Sequence, residues 1–326
     1  MAFLCARTMA AVPLELRIGF PAYAFSGLNA NDSETVTTFY LKRVAEDLGL
    51  KYSARIYPDR HELYRDMNAG KLDMVLLSSS DICDKDSPKN FPSILAPLRG
   101  EDIGESIQLL VHRDSDIKTL ADLRGRHLLS YVSNDAILEI AWLNRELAKQ
   151  NLPPAPELFR NISHPEAASK TVLPVFFRKA DACLITKSLF DILGQLNPQL
   201  QQRLVPLANS ELLLSSALCL RADYSPEGRR RIMEAACNLA STPHGRQLIT
   251  LTKLNRIIPF KPEMLHTVEK LLIGSQNLAT GSGTPAPSQE PRAALPPDPA
   301  PVPEQAPGFK QAPAPEPPPS PAIRTP

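Results

Sequence analysis

Residues 52–77 read YSARIYPDRHELYRDMNAGKLDMVLL, and this run decides the fold class. Tyr52 to Tyr57 carries the residue types and spacing of a strand, and Asp59-Arg60-His61-Glu62 has the form of a helix start in which an acidic cap is followed three residues later by Glu. The helix is expected to stop at Gly70, and Leu72 to Leu77 is an apolar run of the length of a buried strand. Working outward, Leu14 to Phe20 (LELRIGF) alternates as a strand, and Val36, Tyr40, Val44 and Leu48 share one helical face that ends at Gly49. The resulting β-α-β-α-β order predicts a mainly parallel sheet with helices on both faces, and ligands at the carboxyl ends of its strands.

The same alternation continues downstream. Strands are expected at Ile107–His112 (IQLLVH), His127–Val132, Leu158–Ile162 and Asp181–Thr186 (DACLIT), with helices over 136–149 and 166–178. A return strand is expected at 213–220 (LLSSALCL), followed by helices over 226–240, 244–252 and 262–273. No internal repeat is evident.

The 36 basic and 35 acidic residues leave a net charge of +1, so no overall field draws the chain to nucleic acid or to anionic lipid. No apolar run approaches the roughly 20 residues that span a bilayer, so no direct membrane insertion is expected. At 43% hydrophobic and 22% charged residues, the composition is that of a folded protein with a substantial core. The N-terminal MAFLCARTMAAVPLELRIGF carries a Thr8-Met9-Ala10 small-residue pattern but is interrupted by Arg7, which makes it a weak or truncated export signal; a frayed terminus before the first strand is the alternative. Cys5, Cys83, Cys183, Cys219 and Cys237 are widely spaced without a C-x-x-C or His partner, the pattern of buried, inert thiols rather than of a metal site.

Beyond about residue 276 the composition breaks. The tail over 276–326 holds about half of the chain's prolines and few large apolar side chains, so it is expected to be disordered and partly polyproline II. Its P-x-x-P matches would suit an SH3-like groove, but a spacer explains the composition as well.

Taken in order, LRIGFPAYAF, AGKLDMVLLSSSDI, LLVHRDSDIKTLADLRGRHLLSYVSNDA, ISHPEAASKTVL, KADACLI and TPHGRQLITLTKLNRIIPF resemble the phosphonate- or phosphite-binding periplasmic proteins of ABC importers. The resemblance spans about residues 14 to 273, with TLADLRGR at 119–126 its most specific part. It implies an α/β, two-lobed clamshell of the type II periplasmic-binding-protein class, with 14–108 and 213–273 forming the first lobe and 109–212 the second. It also implies a periplasmic monomer that captures a small-molecule ligand and hands it to an ABC permease, closing by hinge motion, without cofactor or metal.

By position, the resemblance points to Tyr23, to Ser78, Ser79 and Ser80, to Ser133, Asn134 and Asp135, and to His164 as ligand contacts. Each also has a plainer reading: Tyr23 packing over the hinge, the serines capping a helix, His164 decorating a loop. Family members carry a Ser/Thr-rich turn where this chain has Ser133-Asn134-Asp135, and Asp135 departs from that pattern. Two like charges about 4 Å apart repel by roughly 4 kcal/mol at an effective dielectric near 20, against the roughly 0.3–1 kcal/mol that a helix dipole contributes. A cleft-facing Asp135 therefore disfavours a simple phosphonate and favours an amine-bearing or neutral ligand; an outward-facing one leaves an anion site intact. The residues contain no G-x-S-x-G, H-E-x-x-H, P-loop or G-x-G-x-x-G motif, and no catalytic residue is assigned. A cleft enzyme on the same fold, or a sensing module whose tail meets a partner, are the alternatives.

Overall fold

The computed structural model describes residues 15–25, 39, 41–47, 51–99, 102–131, 136–165, 167–252 and 254–281. The N-terminal signal-like segment, Cys5, the Ser133-Asn134-Asp135 turn and the proline-rich stretch after 281 lie outside those residues. So do Val36, Tyr40 and Leu48 of the first helical face; Val44 lies inside and is buried on the Leu41–Asp47 helix.

In chain order the strands are β1 (Glu15–Pro21), β2 (Lys51–Tyr57), β3 (Met74–Ser78), β4 (Ser93–Leu98), β5 (Ile107–His112), β6 (His127–Ser130), β7 (Asn161–Ser163), β8 (Ala182–Thr186), β9 (Leu204–Asn209), β10 (Ser216–Leu220) and β11 (Arg256–Pro259). They form two sheets, ordered β11-β4-β10-β3-β1-β2 and β7-β6-β8-β5-β9. In the first, β1 runs parallel to both β2 and β3, as the β-α-β-α-β reading requires. The sheets are nevertheless mixed rather than mainly parallel. The return strand β10 inserts antiparallel between β3 and β4, and β5 inserts antiparallel between β8 and β9.

The strand–helix–strand run 52–77 folds as its residues dictate. Asp59 caps the Arg60–Asn68 helix by accepting from the His61 N–H at 3.1 Å, and the helix buries Leu63, Tyr64 and Met67. Gly19 in β1 admits that helix: a Cβ there would stand 2.8 Å from the Leu63 and Leu72 side chains. The helix over 136–149 is found where expected and buries Trp142, the chain's one tryptophan, with Leu143 and Leu147. Burying side chains of this size stabilises the fold by roughly 1.5–3 kcal/mol each.

Several expectations are corrected. The strand over Leu158–Ile162 is reduced to β7, because Ala155–Leu158 forms a helical turn after Pro154, held by the Ala155 N–H donating to Asn144 Oδ1 at 2.7 Å. β4 and β9 escape a periodicity reading because Pro97 and Pro206 interrupt them, and β11 because it is only four residues long and ends at Pro259. Pro206 is tolerated because β9 is an edge strand and the register shifts opposite it. Among the thiols, Cys183 and Cys219 are fully buried, and burial pushes Cys219 up to about 12, but Cys237 is exposed.

The last helix, His266–Gly281, runs past the composition break near 276. Its Val268 and Leu271 join Leu138 and Trp142 in the core on the second sheet, although it follows strand β11 of the first. Among the described residues no helix is long and apolar enough to cross a membrane.

Candidate ligand-binding site

Successive strands pass from one sheet to the other after β4 and after β9, and these two crossovers pair. The Glu105 N–H donates to the Leu213 carbonyl at 2.8 Å and the Leu213 N–H returns to Glu105 at 2.9 Å. Gly104 makes that approach possible. Its φ is +122°, and a Cβ would meet the Leu213 carbonyl oxygen at 2.8 Å.

Both sheets present the carboxyl ends of their parallel strands to this pair. At the end of β3, the Ser79 N–H donates to the Ser215 carbonyl at 3.1 Å; at the end of β8, the Lys187 N–H donates to the Ser106 carbonyl at 2.8 Å. The Glu105 carboxylate links the crossover to the second sheet by accepting from the Ser188 hydroxyl at 2.5 Å. Burial raises the pKa of Glu105, opposed by that hydrogen bond and by the charge of Arg99.

On the first sheet, Tyr23 lies on a 3-10 turn directly after β1, and Ser78 caps the short Ser79–Cys83 helix directly after β3. The Tyr23 hydroxyl donates to Asp81 Oδ2 at 2.5 Å and accepts from the Ser78 N–H at 2.9 Å. The Ser78 hydroxyl donates to the same carboxylate oxygen at 2.9 Å while accepting from the Asp81 N–H at 3.1 Å. Tyr64, from the Arg60–Asn68 helix, donates to Asp81 Oδ1 at 3.2 Å, and Arg60 stands 3.8 Å from it. Asp81 is only 4% exposed. Burial, reinforced by the Asp81 charge, drives the Tyr23 pKa far upward and raises that of Tyr64, so both phenols stay protonated as donors.

Ser78, Ser79 and Ser80 are all buried, and the Ser79 hydroxyl has no partner. The plainer reading weighed for this loop, a helix cap, describes Ser78. The residue that organises the cluster, Asp81, was not selected from the sequence. Its signal was the Ser-x-x-Asp spacing of Ser78 and Asp81, which marks a helix start but does not reveal that Tyr23 and Tyr64 converge on it.

On the second sheet, His164 is exposed directly after β7, which pairs in parallel with β6. Ser130 is the last residue of β6; its buried hydroxyl donates to Glu139 Oε2 at 3.1 Å, and Glu139 is itself 1% exposed on the first turns of the 136–149 helix. The sheet order therefore places His164 at the same edge as Ser130, while Tyr23 and the three serines share the edge of the other sheet. Among the described residues no group of three His, Cys, Asp or Glu side chains is placed to hold a metal ion.

Residues 30–265 match the family described as ABC transporter, phosphonate, periplasmic substrate-binding protein. Comparison with curated proteins gives no match. The fold is similar to a binding-protein component of an ABC phosphonate transporter from Pseudomonas aeruginosa, at 15% identity and a TM-score of 0.62 over 83% of this chain and 89% of that one. It is similar to a protein from Prochlorococcus marinus in complex with methylphosphonate, at 13% identity and a TM-score of 0.61 over 81% and 99%. A protein from Xanthomonas citri bound to ATP follows at 16% identity and a TM-score of 0.60 over 82% and 98%.

Proposed function

The chain belongs to the phosphonate-type periplasmic substrate-binding proteins of ABC transporters, and from that premise we propose that it captures one small polar ligand between its two lobes and delivers it to a membrane permease. The observation that carries the reading is the convergence of both carboxyl edges on one paired crossover, Glu105 with Leu213. Two paired crossover segments linking two sheets serve as a hinge, and ligand contacts divided between its two sides convert binding into closure. We assign 14–108 and 213–273 to the first lobe, 109–212 to the second, and the ligand contacts to Tyr23, Ser78, Ser79, Ser80, Ser133, Asn134, Asp135 and His164. The protein acts as a periplasmic monomer, the residues beyond 276 serve as a spacer, and the ligand leaves unchanged.

The test is a titration of the full chain with a panel of small phosphonates, sulfonates and their amino derivatives, read by calorimetry and by small-angle scattering. Saturable heat at one site per chain, with a fall in the radius of gyration and full recovery of the added compound, is the expected result. Conversion of a bound compound to a product would move the protein to the enzyme class.

A further inference from the structure

Resting on the two-lobed solute-binding reading above, we infer that the clamshell bends on the first-sheet side of the paired crossovers, because two carboxylates, Glu105 and Glu211, clamp both crossovers to the second lobe. The packing changes from one body to the other between neighbouring residues. Leu213 is buried in the second-sheet core with Ile107, Leu109 and Trp142, whereas Leu214, the next residue, is buried in a first-sheet cluster with Ala96 and Leu98. The chain changes bodies again at its last helix: Leu265 joins the Leu98 cluster, while Val268 and Leu271 join that of Trp142.

The hydrogen bonds divide at the same places. The Glu105 carboxylate accepts from the Ser188 hydroxyl at 2.5 Å, on the first turn of the Lys187–Leu196 helix of the second lobe. Its other oxygen is buried without a partner, which is unfavourable by itself, and the bond to Ser188 offsets that. The returning crossover is held in the same sense. Glu211 receives both terminal nitrogens of Arg145 on the 136–149 helix, one of them at 2.6 Å, a two-point geometry that resists rotation. Between these clamps the Ser106 hydroxyl donates to the Ser210 carbonyl at 2.9 Å, and the Lys187 N–H donates to the Ser106 carbonyl at 2.8 Å. The first lobe reaches Glu105 through the charge of Arg99, a pull that a bend can stretch without breaking a hydrogen bond.

Beyond the Leu213–Leu214 bond the ties belong to the first sheet. The Ser79 N–H donates to the Ser215 carbonyl at 3.1 Å, so the serine loop is fastened just past the joint, and the Asn255 N–H holds the Leu98 carbonyl at 2.8 Å. Closure therefore swings the first lobe against one unit made of the second lobe, both crossovers and the helix from His266. The mechanical boundary lies ahead of Gly104 on one crossover and at the Leu213–Leu214 bond on the other, so Glu105 to Gln108 and Leu213 travel with the second lobe.

Amide hydrogen exchange of the full chain in sub-denaturing urea, read by mass spectrometry, tests this without any ligand. Peptides over 104–112, 204–213 and 266–273 are expected to open together with β8, and those over 93–98 and 214–220 together at a different urea concentration. Leu143→Ala, in the second-sheet core, should raise exchange at Glu105 and Leu213 roughly tenfold while leaving 214–220 within about threefold, and Ile18→Ala, in the first, should do the reverse. Glu105→Gln combined with Arg145→Ala, checked for a retained cooperative melt, should lose roughly tenfold protection at the Glu105 and Leu213 amides while β8 and β10 keep theirs. The expected exchange pattern with no heat from the ligand panel would refute the solute-binding reading alone. Crossover peptides that open with 214–220, or that open in one step with both sheets, overturn the inference in the wild type without any variant having to fold. Undiminished protection in the folded clamp variant overturns it as well.

Discussion

The two carboxyl edges that meet at the crossovers are built differently. On the first sheet, four side chains from three separate segments, Tyr23, Tyr64, Ser78 and Asp81, close on one another with hydrogen bonds of 2.5–3.2 Å. On the second, Ser130 and Glu139 make a buried pair beneath the surface, while His164 stands exposed after β7. One edge is a preformed network whose groups already satisfy each other. The other keeps an unburied side chain directly after a strand. On the proposed function, a ligand bridging them would meet a preformed network on one side and an exposed side chain on the other.

The largest way to break this contrast is Asp81→Ala. It leaves the Tyr23 and Tyr64 hydroxyls facing a gap, and stranding buried donors costs about 1–3 kcal/mol each, so a loss of roughly 3 kcal/mol in unfolding free energy is expected by urea denaturation. A change below about 0.5 kcal/mol would show that water replaces the carboxylate and that the network is not fixed.

A second experiment uses the acid at the other end of the same strand. Asp73, just before β3, receives the Arg17 side chain at 2.8 Å through both carboxylate oxygens and lies 3.5 Å from Arg221. Burial alone would raise its pKa, but the bonds from Arg17 prevail and hold it below the usual carboxylate range. Folded, such a group binds fewer protons than unfolded. Its stabilisation is complete above about pH 5, and is lost as pH falls through roughly 4 and on through the lower folded value. Asp73→Asn should be less stable at pH 7 and should show a shallower acid limb in thermal melts. A limb as steep as the wild type's would assign the acid sensitivity to other carboxylates, such as Asp66, which is lowered in the same direction chiefly by its bond from Lys71.

The smallest stability effect is expected on the second edge. His164→Ala removes an exposed side chain and should change stability by no more than about 0.5 kcal/mol. It should nonetheless weaken binding of phosphonate-bearing ligands in the calorimetric titration that tests the proposed function. A large stability loss, or unchanged affinity, would remove His164 from the site.

Local pattern was enough to identify the α/β class, the helix over 136–149, the strand at Ile107–His112 and the loops at which a ligand is expected. These follow from neighbours a few residues apart: an apolar period, an acidic cap at Asp59, a glycine at position 70. The positions of Tyr23 and Ser78 after β1 and β3 follow from the same reading, because the carboxyl ends of parallel strands lie side by side. Tertiary structure decided the rest. Tyr23 and Asp81 are 58 residues apart in sequence, and Tyr64 and Asp81 are 17 apart, and no periodicity couples such pairs. Nor does local pattern say that β10 and β5 would insert antiparallel, or that the helix from His266 would pack beside Trp142. Those choices depend on which surfaces meet after collapse, and the direction in which a hydroxyl donates is fixed only once its acceptor has been brought to it.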